Sequence, residues 1–398
     1  MDKMWKRGTQ YVLSAVLFVW ATVVGPAGAW AESQADGSLS RISEIYELLG
    51  EFHISGVGKE ELADAAIRGM IESLGDPYTQ YYTEKEWAEF ENSLQPVYAG
   101  IGTRLGQNEN GFVIVEVFAD SPAAVAGLKA GDRILSVSGN AADGMSLDQL
   151  ADSIRGPEGT EVQLTVERNG NSLSFTVKRQ KIEVPVVSSS VLTGGIGYIK
   201  LSSFADEADE RFAEQLAKLE QKQIRALVID LRDNPGGIVD TARNIAAQFI
   251  AEGTLMHARD RNGKDVPVPI RGGRTVEYPV VLIVNGGSAS ASEVLAGALQ
   301  DYGKATIVGE KTFGKGSVQT VYALPSGGML KMTTEHYLTP HKHKVDQVGI
   351  TPDIVAEGST VQMVTALRTA GTGELRVAVS DQSVVVNGAT FYDNVPVV

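Results

Sequence analysis

Three short apolar runs in the second half of the chain constrain its fold more than any other feature. Arg225-Ala226-Leu227-Val228-Ile229-Asp230-Leu231-Arg232, Val280-Val281-Leu282-Ile283-Val284 and Ala305-Thr306-Ile307-Val308-Gly309 are near-continuous rather than alternating. Strands covered on both faces read this way. Segments of helical character separate them. A glycine turn at 236–237 leads into a helix through Ile250, and Asn285-Gly286-Gly287 leads into one from about Ser290 to Tyr302. A further strand, Ile196 to Leu201, precedes a helix from Asp206 to Lys222. Strands alternating with helices predict an α/β fold with a mostly parallel sheet and crossover helices.

At 398 residues the chain is long enough for two or three domains, and 43% hydrophobic with 21% charged residues is a globular composition. Residues 40–95 read as helical, with Ile42, Ile45, Tyr46, Leu48 and Leu49, then Leu62, Ala65, Ala66, Ile67, Met70, Ile71 and Leu74 at helical spacing. Gly75-Asp76-Pro77 stops the second helix, and an acidic helix is expected from Glu84 to Leu94. From Tyr98 to Arg179 the pattern turns to short strands with two small helices, closing on a hairpin about Asn169-Gly170-Asn171. Towards the C-terminus a helix is expected over Val361 to Arg368 and a strand and turn over Ser383 to Gly388.

The N-terminus carries Lys3, Lys6 and Arg7, an apolar run from Tyr11 to Val24 and Ala29-Trp30-Ala31 before Glu32. This is the layout of an export signal, cleaved or kept as an anchor, so the protein is expected outside the cytoplasm, in the cell envelope or secreted. The net charge of −14 argues against a nucleic-acid partner, since phosphate binding needs clustered Lys and Arg. There is no cysteine, which removes thiol nucleophiles and thiolate metal sites.

Two stretches could carry chemistry. Asn285-Gly286-Gly287-Ser288-Ala289-Ser290-Ala291-Ser292-Glu293 is a strand–turn–helix junction of small residues. Small side chains admit a substrate backbone, and free N–H groups at a helix start stabilise an anion. A serine here suits a nucleophile beside an oxyanion hole, or simply a helix cap. The second stretch is Thr312-Phe313-Gly314-Lys315-Gly316-Ser317-Val318-Gln319. Gly309 to Lys315 has phosphate-loop spacing, but Gly316 stands where that loop needs Ser or Thr and a strand pattern follows, so the nucleotide reading fails. The histidines are poor bases: His53 lies in the helical arm, His257 lacks an acidic orienter, and His341 and His343 have no second ligand pair for a metal.

Several ordered motifs give the chain a family resemblance over about residues 40 to 357. They are Asp230-Leu231-Arg232-Asp233-Asn234-Pro235-Gly236-Gly237, Ser288 to Glu293, Thr312-Phe313-Gly314-Lys315-Gly316, and Gly349-Ile350-Thr351-Pro352-Asp353. The chain resembles the carboxyl-terminal processing (tail-specific) proteases, S41-type serine peptidases that carry a PDZ domain. The resemblance implies a multi-domain α/β protein: a crotonase/ClpP-like protease core with an inserted PDZ-like β-rich domain and an N-terminal helical segment. It divides the chain into a signal or anchor (1–31), a helical, dimerising segment (40–95), a PDZ domain (97–180), a protease core (185–357) and a C-terminal segment (358–398).

It further implies Ser290 as nucleophile, Lys315 as general base, Gln319 as its orienter, and the N–H groups of Gly236 and Ala291 as oxyanion hole. Tyr98, Ala99, Gly100, Ile101 and Gly102 would form the loop that cradles a peptide carboxylate, with Arg155 as a contact between module and protease. No cofactor or metal is implied. The expected partners are protein or peptide substrates with free C-termini, a second copy of the chain, and the membrane through the N-terminus. Residues 383–398 resemble the opening strand of a small envelope-associated domain. A lysine base must be neutral, so Lys315 is expected to be buried away from carboxylates with its pKa brought down from about 10.4 towards 7–8. Two other readings fit less well. A non-catalytic exported PDZ scaffold would need none of Ser290, Lys315 and Gln319, and an acyl-CoA enzyme would need an acidic catalytic pair.

Overall fold

The computed structural model describes residues 37–94, 97–108, 111–118, 120–183, 186–192, 194–371, 373, 377–380, 383–386, 389–392 and 398. The expected export signal or anchor, residues 1–31, lies outside these residues. Among them no helix is long and apolar enough to cross a membrane.

The three apolar runs form the centre of one sheet. Its order is Val187–Leu192, Ile196–Leu201, Ala226–Asp230, Val280–Val284, Thr306–Gly309 and Ile354–Val355; all neighbours run parallel except the first pair. Successive residues of a strand point to opposite faces, and here both faces are dry. Leu227, Ile229, Val280, Leu282 and Val284 face helices Ala208–Gln221, Val239–Ala246 and Ala291–Asp301 in one apolar cluster. Ala226, Val228, Val281 and Ile283 pack on the other face with Met363, Ala366 and Leu367 of helix Ser359–Thr369.

The helix expected to run through Ile250 stops at Ala246. The carbonyl of Ala247 accepts instead from the N–H of Arg274, 2.8 Å away, so a distant segment takes the bond the next turn needed. Beyond it lies a hairpin with no clear period in the sequence, Gly253–Asp260 with Asp265–Ile270. This hairpin belongs to a second sheet, ordered Gln80–Tyr82, Met329–Leu338, Gly253–Asp260, Asp265–Ile270, with Ser317–Ala323 also on Met329–Leu338.

The N-terminal arm forms helices Gly37–Phe52, Lys59–Glu72 and Glu84–Leu94. Between the last two, Gln80–Tyr82 adds as a strand to the core, and Thr79 Oγ1 accepts from the Thr333 N–H at 3.1 Å. The arm is thus stitched to Met329–Leu338, the strand that pairs with the one following the lysine loop.

The β-rich module is a sheet of Thr103–Asn108, Gly111–Val117, Arg133–Val137, Glu161–Arg168 and Asn171–Lys178, with helices Pro122–Ala126 and Leu147–Ile154. Its entry and exit, Val97–Gly100 and Gln180–Glu183, pair with each other. Both helices start on a serine whose hydroxyl accepts a backbone N–H, Ser121 from Ala124 and Ser146 from Gln149.

Candidate active site

Three serines share the junction after Val280–Val284, and their hydroxyls have different fates. Ser288 donates to the Leu231 carbonyl at 2.7 Å and Ser292 to the Asn234 carbonyl at 2.9 Å. Both flanking serines therefore pin the junction to the end of the neighbouring strand. Ser290 Oγ is buried and has no hydrogen-bond partner among the described residues. Its backbone is held at φ 59°, ψ −116°, left-handed for a residue with a Cβ. Such strain persists only where the surroundings enforce it.

Ser290 stands at the cap position of helix Ala291–Asp301, but the carboxylate of Glu293 does the capping. Glu293 is wholly buried. Its Oε2 accepts the N–H of Ser290 at 2.8 Å and the N–H of Lys315 at 2.9 Å. Its Oε1 accepts Thr312 Oγ1 at 2.6 Å and the Gly314 N–H at 2.7 Å. One carboxylate thus joins the serine junction to the lysine loop. Burial raises the Glu293 pKa, against the opposing pull of these donors. Sequence reasoning gave Glu293 no role, although Ser290 followed three residues later by Glu is the spacing of a capping box.

Lys315 is buried, and its pKa falls to about 8. Desolvation is the main cause, the nearby charge of Lys331 adds to it, and Glu293 and Asp76 oppose it. The expected separation from carboxylates is therefore corrected: a buried carboxylate bonds the Lys315 backbone, and burial prevails over its charge. The Lys315 ammonium lies 4.8 Å from the centre of the Tyr78 ring, contributed by the N-terminal arm. Lys331, also drawn down to about 8 by burial, lies over the Phe90 ring and hydrogen-bonds Gln80 and Tyr82. Neither Tyr78 nor Lys331 could be found from local spacing.

The lysine loop is seated by close backbone approach. A Cβ on Gly316 would meet the Asp346 nitrogen at 2.1 Å, so no larger residue fits against the segment before Gly349. Gln319 Nε2 donates to Ser317 Oγ at 2.9 Å and lies 3.4 Å from Thr333 Oγ1. Gly236 lies directly against the nucleophile junction. A Cβ there would stand 2.8 Å from Ser290 Cβ and 2.9 Å from the Ala291 nitrogen. The Gly236 N–H donates to Asn234 Oδ1 at 2.9 Å, and the Ala291 nitrogen opens the helix.

In the β-rich module Tyr98, Ala99 and Gly100 end the entry strand, and Ile101 and Gly102 form the turn into Thr103–Asn108. Ile101 is buried in the module core, and Gly102 takes a left-handed φ of 80°. Arg155 caps helix Leu147–Ile154 and pairs with Asp152 at 3.2 Å.

Family models described as Peptidase family S41, PDZ domain and Activating protease CtpB N-terminal domain match residues 195–356, 113–168 and 24–86. The chain is 37% identical over 339 residues to carboxy-terminal processing protease CtpB of Bacillus subtilis, covering 84% of this chain and 71% of the relative. It is 35% identical to a carboxy-terminal-processing protease of Bartonella bacilliformis, covering 87% and 80%. Among solved structures, a photosystem II D1 C-terminal processing protease aligns with a TM-score of 0.52 at 26% identity, covering 83% of this chain and 96% of that one. A PDZ module ahead of an α/β core, the ordered motifs of that core and relatives matched over most of their length agree: the chain belongs to peptidase family S41, as a serine protease of the carboxy-terminal processing type.

Proposed function

We propose that Ser290 is the nucleophile and Lys315 the general base of this protease, cutting protein substrates near or from their C-termini. The observation that carries the reading is the shared Glu293 oxygen, which draws the backbones of Ser290 and Lys315 to one point. The free hydroxyl of Ser290 and the lowered pKa of Lys315 support it. Neutral Lys315 takes the Oγ proton as Ser290 attacks the carbonyl carbon. The tetrahedral oxyanion forms beside the N–H of Ala291 and that of Gly236, which must first leave Asn234 Oδ1; the lysine returns the proton to the departing amine, and an acyl-enzyme remains. A water deprotonated by Lys315 then releases the new carboxyl end. Gln319, two residues beyond Ser317 on the same strand, would turn to the lysine amine when substrate is bound; as an amide it can hold the amine without charging it.

The loop from Tyr98 to Gly102 would receive substrate C-termini, its successive N–H groups facing a carboxylate while the peptide adds as a strand. Export follows from the charged and apolar N-terminus. Pairing of two copies through the arm is supported by an apolar face left uncovered, with Ile45 57%, Leu48 51% and Phe52 75% exposed. Cleavage of β-casein by the mature chain tests the chemistry. Ser290→Ala and Lys315→Ala should each lower kcat/KM by at least about 10³-fold while remaining folded. Full activity in Lys315→Ala would remove the lysine from the mechanism and leave the protease assignment standing.

A further inference from the structure

The N-terminal arm sets an aromatic ring against the active-site lysine, and the turn that carries the ring is firmly held. After helix Lys59–Glu72 the chain turns through Gly75 at φ 63°. Asp76 Oδ1 then accepts the Tyr78 N–H at 3.0 Å, and Asp76 Oδ2 accepts the Thr79 hydroxyl at 2.6 Å. Thr79 is itself tied to Thr333, and Gln80 pairs with Lys331 on the neighbouring strand. This fixes Tyr78 with its ring beneath Lys315 Nζ, 4.8 Å from the ring centre. Lys315 is 3% exposed, so the contact is made largely out of water.

The face of a tyrosine ring carries negative potential, so it attracts a cation and has little to offer a neutral amine. Lys315 passes between those two states in the proposed reaction. As Ser290 Oγ bonds to the carbonyl carbon, the carbonyl π pair moves to oxygen and the Oγ proton moves to Nζ. An ammonium and an oxyanion thus appear together. We propose that Tyr78 is a positioning residue of this protease that acts through Lys315, its ring face receiving the ammonium as it forms in the transition state. This rests on the reading of Lys315 as general base, and it adds a residue from outside the protease core. The charged groups acting on the amine are Lys331 of strand Met329–Leu338, Glu293 of helix Ala291–Asp301 and Asp76 of the same turn as the ring. Asp346 acts on Tyr78 itself. A substitution at Tyr78 leaves all four in place.

The consequence is a loss confined to high pH. Below about pH 8 Lys315 starts out charged, and the ring stabilises the starting state and the transition state alike. Above that pH the amine starts neutral, and only the transition state gains. Steady-state cleavage of β-casein across pH 6–10 by the full chain tests this. Tyr78→Leu keeps an apolar filling without a ring. Its kcat/KM above about pH 8 should fall about 2–30-fold, the range of a cation–ring contact, with little change at the acid end and the rising limb moved to lower pH. Tyr78→Phe keeps the ring and should recover most of the plateau with the limb in place. If Tyr78→Leu does not melt cooperatively, a ring-fluorinated phenylalanine at the same position draws charge off the ring face at nearly the same shape, and should show the same high-pH loss relative to Tyr78→Phe. An equal loss at every pH would make the ring a packing element only, and a limb moved to higher pH would make it a cover against water; either result overturns the proposal. Lys315→Ala on the same substrate separates the two readings. If it cuts at full rate, the lysine is not the base and the role of Tyr78 falls with it. If it is inert while the ring-less or fluorinated variant matches its reference at every pH, the proposal alone is overturned.

Discussion

A lysine accepts a proton from serine only while it is uncharged, so the useful quantity at Lys315 is the fraction neutral at working pH. With a pKa of about 8, that fraction is roughly one-tenth at pH 7, against less than about one-thousandth for a lysine at its ordinary value. The proposed mechanism therefore predicts kcat/KM that rises with pH and levels off above about 8, read from casein cleavage across pH 6–10. The neighbouring charge of Lys331 is one cause of the lowering. Lys331→Met removes a like charge, makes protonated Lys315 easier to keep, and should move the rising limb to higher pH. An unchanged limb would mean that burial alone sets the value. At this scale the motif lysine was legible through the family resemblance. Its environment was not, because Tyr78 reaches it from the N-terminal arm and Lys331 from strand Met329–Leu338.

Among the elements, the start of helix Ala291–Asp301 and the 312–315 loop behave as one unit because a single carboxylate receives donors from both. Glu293→Gln would turn an amide NH₂ towards groups that are themselves donors. The expected cost is about 2–4 kcal/mol of stability, seen in denaturant melts, since charged hydrogen bonds are lost in a buried place. A fall in kcat of ~10²-fold on casein with KM unchanged would mark Glu293 as a positioning residue, because misplacing the two reactive groups slows the chemistry without touching recognition. Loss of the cooperative melt at the assay temperature would point instead to general unfolding. The flanking serines make a related point. The sequence could not say which of Ser288, Ser290 and Ser292 is free. The bonds of Ser288 to Leu231 and Ser292 to Asn234 separate them, and those partners lie more than fifty positions away.

At the scale of the whole molecule, the arm carries an apolar face that the single chain leaves exposed. Ile45→Glu with Leu48→Glu should convert a dimer to a monomer in sedimentation at micromolar protein, with the core's melting unaffected. A parent that is already monomeric would remove the arm as a pairing surface. The same arm reaches the core through Gln80–Tyr82, so pairing of two copies would bear on the strand next to the lysine loop.

What the sequence determined by itself is what depends on neighbours in the chain. Continuous Val, Ile and Leu runs, glycine turns and serine caps act over a few residues, and they specify a parallel α/β core, a β-rich module and a helical arm. The ordered motifs added the family. Tertiary structure decided whatever needed two distant segments to meet: the stop of a helix at Ala246 by Arg274, the bridge through Glu293, and the ring of Tyr78 at Lys315. Burial and hydrogen-bond complementarity between such segments are properties of the assembled chain. No local pattern encodes them, because the energy of each contact exists only once the fold has brought its partners within reach.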